Sequence, residues 1–549
     1  MGSTNGSTIK AYTNGALIEA IRKGNISEVL TMISRGEGLQ ERGLHGACRY
    51  GLTEVVMALV EKGTDIDARD YYQRTPLLHA CMYGRTEVAM ALMEKGADIN
   101  ARDHIQKTPL HWACVQDLTE VAMALMERGA DIDVRDNKQK TPLHSACVMG
   151  LTEVAMALIE RGADIFARDN KQKTPLLHAC VKSLTEVAMA LMQRGADIHA
   201  RDDSQTTPLH GTCIKGCGQV AMALMERGAE INARDNDQRT PLHSACINGH
   251  TEIAMALMER GADINARDNE HMTPLHCACM FGLTRVALAL VERGSDIDAR
   301  NDVRWTPLHS ACTKGYTQVA MVLVEKGANI NARDNEQKTP LLHACNAGHI
   351  EVIMALMERG ADIHAKDEEQ WTPLHCACVK GHTEVAMALM ERGADVDVGD
   401  NDRRTPLYSA CVMGHTKVAM ALIKGGAAIR GVRSLDSSLT RLFKLLWNFS
   451  PLACALYEND VSSFRALLET YDGSSDVGSA DGWGVLHVGV YLGRRECVVL
   501  YLQSKQVSVA RRGLRVVVGE HASTALHIAC ARGDVAMVEA IVEQMSQLM

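Results

Sequence analysis

The triplet Thr-Pro-Leu begins at Thr75, Thr108, Thr141, Thr174, Thr207, Thr240, Thr273, Thr306, Thr339, Thr372 and Thr405, and every interval is 33 residues. A gapless beat of this length constrains the fold more than any other feature of the chain. One supersecondary unit is laid down repeatedly, so burial comes from stacking neighbours rather than from one central core. The length of 549 residues would otherwise suggest several globular domains. One further copy, RGLHGACRYGLTEVVMALVEKGTDIDARD, keeps register from Arg42 without the triplet, and ALIEAIRKGNISEVLTMISRGEG before it carries a shorter two-helix pattern. After residue 430 the beat fails. RSLDSSLTRLFKLLWNF intervenes, and three looser copies start near Ser450, Gly484 and Thr524. The expected organisation is a flexible tail over 1–13, a capping unit over 14–41 and twelve regular units over 42–430. An amphipathic insertion over 431–449 and three divergent units over 450–549 complete about 16 units.

Each unit reads as two short helices and a finger. Thr75 suits an N-cap, and Pro76 suits the first helical position, where no donor is needed. Leu77, Ala80 and Cys81 share one face, and Gly84 closes the helix in a left-handed conformation. Thr86 is expected to cap a second helix, with Glu87 near its positive end and Val88, Ala89, Leu92 and Met93 as its buried face. Gly96 ends it, and ADINARDHIQK is expected to form a hairpin-like finger leading to Thr108. Neither helix is long enough to persist alone in water, so the expected fold class is an all-α repeat.

TPLHSACINGHTEIAMALMERGADINARDN, residues 240–269, closely resembles the ankyrin repeat in its period, its Thr-Pro-Leu-His start and its Gly-Ala-Asp step. The resemblance covers about residues 14–549 apart from the insertion, and is strongest over 42–430. It implies an ankyrin-type α-solenoid of stacked helix-turn-helix units that binds proteins through a concave surface of fingertips and first helices, without catalysis. That makes a scaffold or adaptor the expected role. The alternative is an effector or regulatory subunit that captures one target protein and inhibits or relocates it. The chain departs from the family where a finger glycine is usual, carrying Gln73, Gln106, Gln139, Gln172, Gln205, Gln238, Gln337 and Gln370, with His271, Arg304 and Arg403 in the same slot. Asp117 and Ser183 replace helix-closing glycines, and Thr212 with Cys217-Gly218 suggests a softer joint near 207–220.

Charge and cysteine usage narrow the setting. The net charge is −9 with acids and bases interspersed, which argues against a nucleic-acid partner. No apolar run is long enough to span a membrane, and MGSTNGSTIK lacks the apolar core of a secretion signal. Most of the 18 cysteines recur at one helical slot, too far from their equivalents for disulfides, so they read as small buried hydrophobes in a reducing compartment. The expected location is cytoplasmic, with nuclear entry left open.

No catalytic, cofactor or metal site is expected. His45, His111, His144, His210, His243, His276, His309 and His375 recur with the unit and read as loop-fixing residues. His276-Cys277-Ala278-Cys279 and His375-Cys376-Ala377-Cys378 place their side chains about 100° apart on a helix, which disfavours convergence on a metal. Differences between copies concentrate at fingertips and first helices. The candidate protein-binding residues are Tyr71, Tyr72, His104, Ile105, Lys138, Asp237, Trp305 and Trp371, of which the aromatics are favoured as anchors. Trp112 and Phe281, on first helices, are expected to be part-buried. A methionine recurs on the second helix, from Met57 and Met90 to Met387 and Met420, and reads as gap-filling between units. The competing reading is an adaptable outer ribbon for a partner or for self-association. The family resemblance also makes Asn100, Asn232, Asn265 and Asn331 candidates for hydroxylation by a dioxygenase.

Overall fold

The structure is a computed structural model that describes residues 16–35, 41–427, 461–469, 495–503, 536–539 and 542–543. Expectations for 1–13, for the insertion 431–449 and for the starts of the divergent units lie outside these residues. The chain divides into two compact blocks, Met1–Asp296 and Ile297–Met549. Every regular element among the described residues is helical.

In the first block, first helices such as Pro76–Met82, Pro109–Val115 and Pro142–Met149 alternate with second helices such as Thr86–Glu94, Thr119–Glu127 and Thr152–Glu160. The pattern runs to Pro274–Met280 and Thr284–Glu292. Each first helix packs on its own second helix and on the first helix of the next unit, while second helices pack in their own row. The second block repeats this from Pro307–Lys314 and Thr317–Glu325 to Pro406–Val412 and Thr416–Lys424. Val461–Glu469 and Arg495–Gln503, from the looser C-terminal copies, pack against each other.

The local reasons are the expected ones. Thr108 has extended backbone, its Oγ1 accepts from the His111 N–H, and Pro109 opens the helix. Gly150 closes Pro142–Met149 at φ 87°. Val88, Ala89, Leu92 and Met93 are buried, as are Leu77, Ala80 and Cys81. A leucine buried this completely contributes roughly 2–3 kcal/mol of transfer free energy.

Several expectations change. Thr86 is the first residue inside its helix, and the capping position belongs to Arg85, whose side chain makes no capping bond. That position is used for contact between units instead: Arg85 Nε donates to the Arg49 carbonyl at 3.0 Å. The finger glutamines keep the left-handed conformation that glycine usually supplies, with φ from 57° to 63°. Asp117 and Ser183 do the same at helix ends, at φ 56° and 62°. Phe281 is exposed rather than part-buried, whereas Trp112 is half-buried with Nε1 donating to Asp103. Around 207–220 both helices form, as Pro208–Lys215 and Gly218–Glu226, and Thr212 is buried with its hydroxyl donating to the Leu209 carbonyl.

Candidate protein-binding surface

The finger tip is a tight turn organised by one aspartate. Asp103 accepts from the Ile105 and Lys107 N–H groups through Oδ1, and its own N–H donates to the Lys107 carbonyl. Gln106 N–H donates to the Asp103 carbonyl and takes φ 63°. This is a three-residue hairpin turn closed by a left-handed residue. Asp136 and Asp169 repeat the arrangement. Neighbouring tips are then tied backbone to backbone: His104 N–H to the Tyr72 carbonyl, Asn137 to Ile105, Asn170 to Lys138 and Asp203 to Lys171, at 2.9–3.1 Å.

Histidines hold the fingers to the first helices. His111 Nδ1 accepts from the Thr108 N–H at 3.2 Å, and Nε2 lies 3.0 Å from the Lys140 carbonyl in the next finger. His144, His210, His243 and His375 repeat both bonds. In the Thr-Pro-Leu-Leu-His units the ring moves one residue along and turns to its own finger: His79 to Asp70, His178 to Asp169 and His343 to Asp334, at 2.8–3.0 Å. These three histidines were not among the sequence candidates, although the shifted frame of PLLHAC was visible.

The shift brings rings together in pairs, with centroids 5.0 Å apart for His45–His79, 5.8 Å for His144–His178 and 5.6 Å for His309–His343. Burial, and then the neighbouring histidine, hold His144 and His309 down at about 4. His79 is also held at about 4, by burial first. For Asp169, burial works upward, but hydrogen bonds from His178 and from the Lys173 and Lys171 N–H groups win and hold it at about 2. His309, Asp334 and His343 place one ligand-type atom each within 4.8 Å of one another. The Thr306 N–H donates to His309 Nδ1, which puts the ring proton on Nε2, and that proton goes to the Lys338 carbonyl. Trp305 Nε1 also donates to Asp334. The cluster is therefore occupied by its own hydrogen bonds and does not suit a metal. The two His-Cys-Ala-Cys stretches are buried in first helices, and burial pushes the thiols of Cys277 and Cys376 up to about 12, as inert packing groups.

The sequence candidates fall into two groups. Tyr71 is 91% exposed and Tyr72 is 47% exposed. Their rings meet edge to face, and His104 lies 5.1 Å from Tyr72 between centroids. Lys138 and Asp237 are exposed, and Ile105 is half-buried. Trp305 and Trp371 behave differently: both are half-buried, with Nε1 donating to Asp334 and Asp400 of the following finger. They wedge fingers together. At the finger roots Asn100, Asn232, Asn265 and Asn331 are exposed, and each Oδ1 accepts a backbone N–H 31 residues on, from Asp131, Asp263, Asp296 and Asp362. The recurring methionines are mostly half-buried, with Met222 and Met387 the more exposed.

Among the described residues no helix is long and apolar enough to cross a membrane. Among curated proteins no relative matches the chain. A family model described as ankyrin repeats (3 copies) matches residues 17–103, 103–169, 165–235, 224–301, 294–367 and 359–431. Its repeats generally mediate protein–protein interaction. With capped helix pairs stacked in two rows, tied fingers and this match across most of its length, the chain belongs to the ankyrin repeat family, an all-α solenoid fold.

Proposed function

We propose that the chain is a non-catalytic scaffold or adaptor that grips other proteins with its fingertips and first helices. The observation that supports this is the division between fixed backbone and variable side chains. The tips are bonded to one another through main-chain groups, so side chains such as Tyr71, His104, Lys138 and Asp237 vary without disturbing the frame. A surface ordered in advance loses less entropy on binding. The clustering of Tyr71, Tyr72 and His104 on adjoining tips favours a second reading, in which one dominant target is captured and inhibited or relocated. Free thiols at the described cysteines support a reducing compartment, the cytoplasm.

The test is capture of partners by the full chain and by Tyr71→Ala, Tyr72→Ala, Trp305→Ala and Trp371→Ala variants. Several partners lost separately fit a scaffold. One partner lost with the tyrosines fits single-target capture, and no specific partner overturns both. Because Trp305 and Trp371 wedge fingers, their variants are scored beside a thermal melt. Self-association through the methionine row is tested by sedimentation of Met222→Lys and Met387→Lys. Hydroxylation of the four finger asparagines is tested by intact mass, each event adding one oxygen.

A further inference from the structure

The net charge of −9 conceals a segregation of signs by element. None of the first helices from Pro76–Met82 to Pro406–Val412 contains Asp or Glu. The glutamates sit on second helices, as Glu87 and Glu94 do, and further acids sit at finger roots, as Asp98 does. In the first block the tips 71–74, 104–107, 137–140 and 170–173 carry six cations, Arg74, Lys107, Lys138, Lys140, Lys171 and Lys173, and no carboxylate. The next three tips, 203–206, 236–239 and 269–272, bring in Asp203, Asp237 and Glu270.

The carboxylates beneath the cationic tips are turned inward. Asp103, Asp136 and Asp169 are 1%, 3% and 3% exposed, and their Oδ1 atoms are taken by tip N–H groups. Of the lysines above them, Lys107, Lys140 and Lys173 are half-buried, and Lys173 Nζ reaches Asp202 at 3.6 Å. Lys138 and Lys171 are exposed and have no ion-pair partner among the described residues. Lys107 lies over the Trp112 ring at 4.2 Å, Arg74 lies over Tyr72 at 4.7 Å, and Tyr71 stands fully exposed at the same end. The backbone bonds from Tyr72 to Asp203 tie these tips into one continuous ridge.

We infer that the tips from Tyr71 to Lys173 form a docking ridge for an acidic protein segment in extended conformation. This deepens the protein-binding reading and rests on it. Stacked units lie about 10 Å apart. An extended segment of polyproline-II form has about three residues per turn and rises about 3.1 Å per residue, so carboxylates at every third position stay on one face and meet one finger after another. The charge contrast fixes the sign of the partner, and the Tyr71–Tyr72 pair offers an apolar anchor at one end. A nucleic acid would meet the same lysines, but the acidic second helices and roots repel a polyanion that extends beyond the ridge.

The experiment is fluorescence anisotropy on the full chain with a labelled peptide bearing glutamate at every third position. Comparison probes are its glutamine counterpart, an oligodeoxythymidine and phosphatidylserine vesicles. The glutamate peptide is expected to bind at least about tenfold more tightly than the glutamine peptide, with affinity falling as salt rises. Lys138→Glu with Lys171→Glu is expected to weaken it by about tenfold with unchanged circular dichroism. The exposed Lys314→Glu on a first helix of the other block is expected to leave it unchanged. If the charge-reversed pair perturbs folding, Lys138→Gln with Lys171→Gln takes its place. Equal binding of the two peptides overturns the proposal, as does an undiminished double variant. Tighter binding of the oligonucleotide or vesicles through the same lysines also overturns it. A captured protein lost in Tyr71→Ala but retained by the lysine pair sinks the ridge and leaves the protein-binding reading standing. Peptide binding in a chain that captures no protein does the reverse.

Discussion

At the scale of single residues, the finger is built on a conformation its residue does not favour. Gln139 sits at φ 58°, where Cβ crowds its own backbone. Glycine removes that crowding but loses more entropy on ordering. The balance favours glycine here, and Gln139→Gly is expected to stabilise the fold by on the order of 0.5–1 kcal/mol, read as a higher urea midpoint. Gln139→Val is expected to lower the midpoint, since β-branching worsens the same clash. The buried histidines carry a second residue-scale consequence. His79, His144 and His309 titrate at about 4 in the fold, against 6.5 when unfolded. Between those values the unfolded chain binds more protons than the native one. Their stabilising contribution is complete above pH 6.5 and is lost as pH falls through 4, by on the order of 1–3 kcal/mol for each. Thermal unfolding should therefore shift downward between pH 7 and pH 4. His309→Gln, which cannot titrate but keeps polar atoms near Thr306 and Lys338, should flatten that slope. An unchanged slope would mean that these rings reach solvent in the native state.

At the scale of elements, several helix pairs are locked to the pair before them through the residue that precedes the second helix. His250, His349, His382 and His415 occupy this position, and their Nε2 atoms reach back 36 residues to the carbonyls of Ile214, Thr313, Asn346 and Val379. The His382 ring lies where a side chain on Gly348 would stand, 2.6 Å from an added Cβ, and Gly348 is itself at φ 83°. Gly348→Ala thus meets both backbone strain and a collision. It is expected to destabilise by about 2 kcal/mol or more. Adding His382→Ala should recover only the collision part, so a double-mutant cycle on urea midpoints should give a coupling of about 0.5–2 kcal/mol. Strict additivity would show that the ring moves aside freely. The elements themselves were legible beforehand. Helix starts at Thr-Pro, buried faces and closing glycines depend on spacing within a few residues, as Thr108, Pro109 and Gly150 illustrate. The bonds between units were not, because they join positions 29 to 36 residues apart: His111 to Lys140, or His382 to Asn346. The candidate surface was legible as a set of variable tips. That Trp305 turns inward to Asp334, and that the acids beneath Lys138 and Lys171 face away, required knowing which way each finger points.

At the scale of the whole molecule, a repeat of constant length predicts that the chain tolerates editing in whole units and in nothing else. Residues 141–173 form one complete beat within the first block, and their removal joins Lys140 to Thr174 in frame. Every bond that the lost unit made has an equivalent at the new junction. Arg128 already reaches back to the Met93 carbonyl as Arg194 does to Ile159, and Asp98 and Asp131 bond to the preceding finger in the same way. The one local change is at the histidine slot. Thr-Pro-Leu-Leu-His would then follow the finger of Asp136, so His178 would turn to Asp136 in place of Asp169, and His111 would keep a carbonyl at Lys140. The shortened chain is expected to fold with unchanged helicity per residue and a modestly lower denaturation midpoint, since stability in such arrays is close to a sum over units and interfaces. Deleting 141–157 instead removes a first helix and two thirds of its partner, Thr152–Glu160. It uncovers Leu158 and Ile159 and strips cover from Leu110 and Ala113 of the unit before and Leu176 of the unit after. That chain should lose helicity well beyond the residues removed and should be cut by protease near the junction. If the two deletions behave alike by circular dichroism and limited proteolysis, nearest-neighbour stacking is not what holds this fold together.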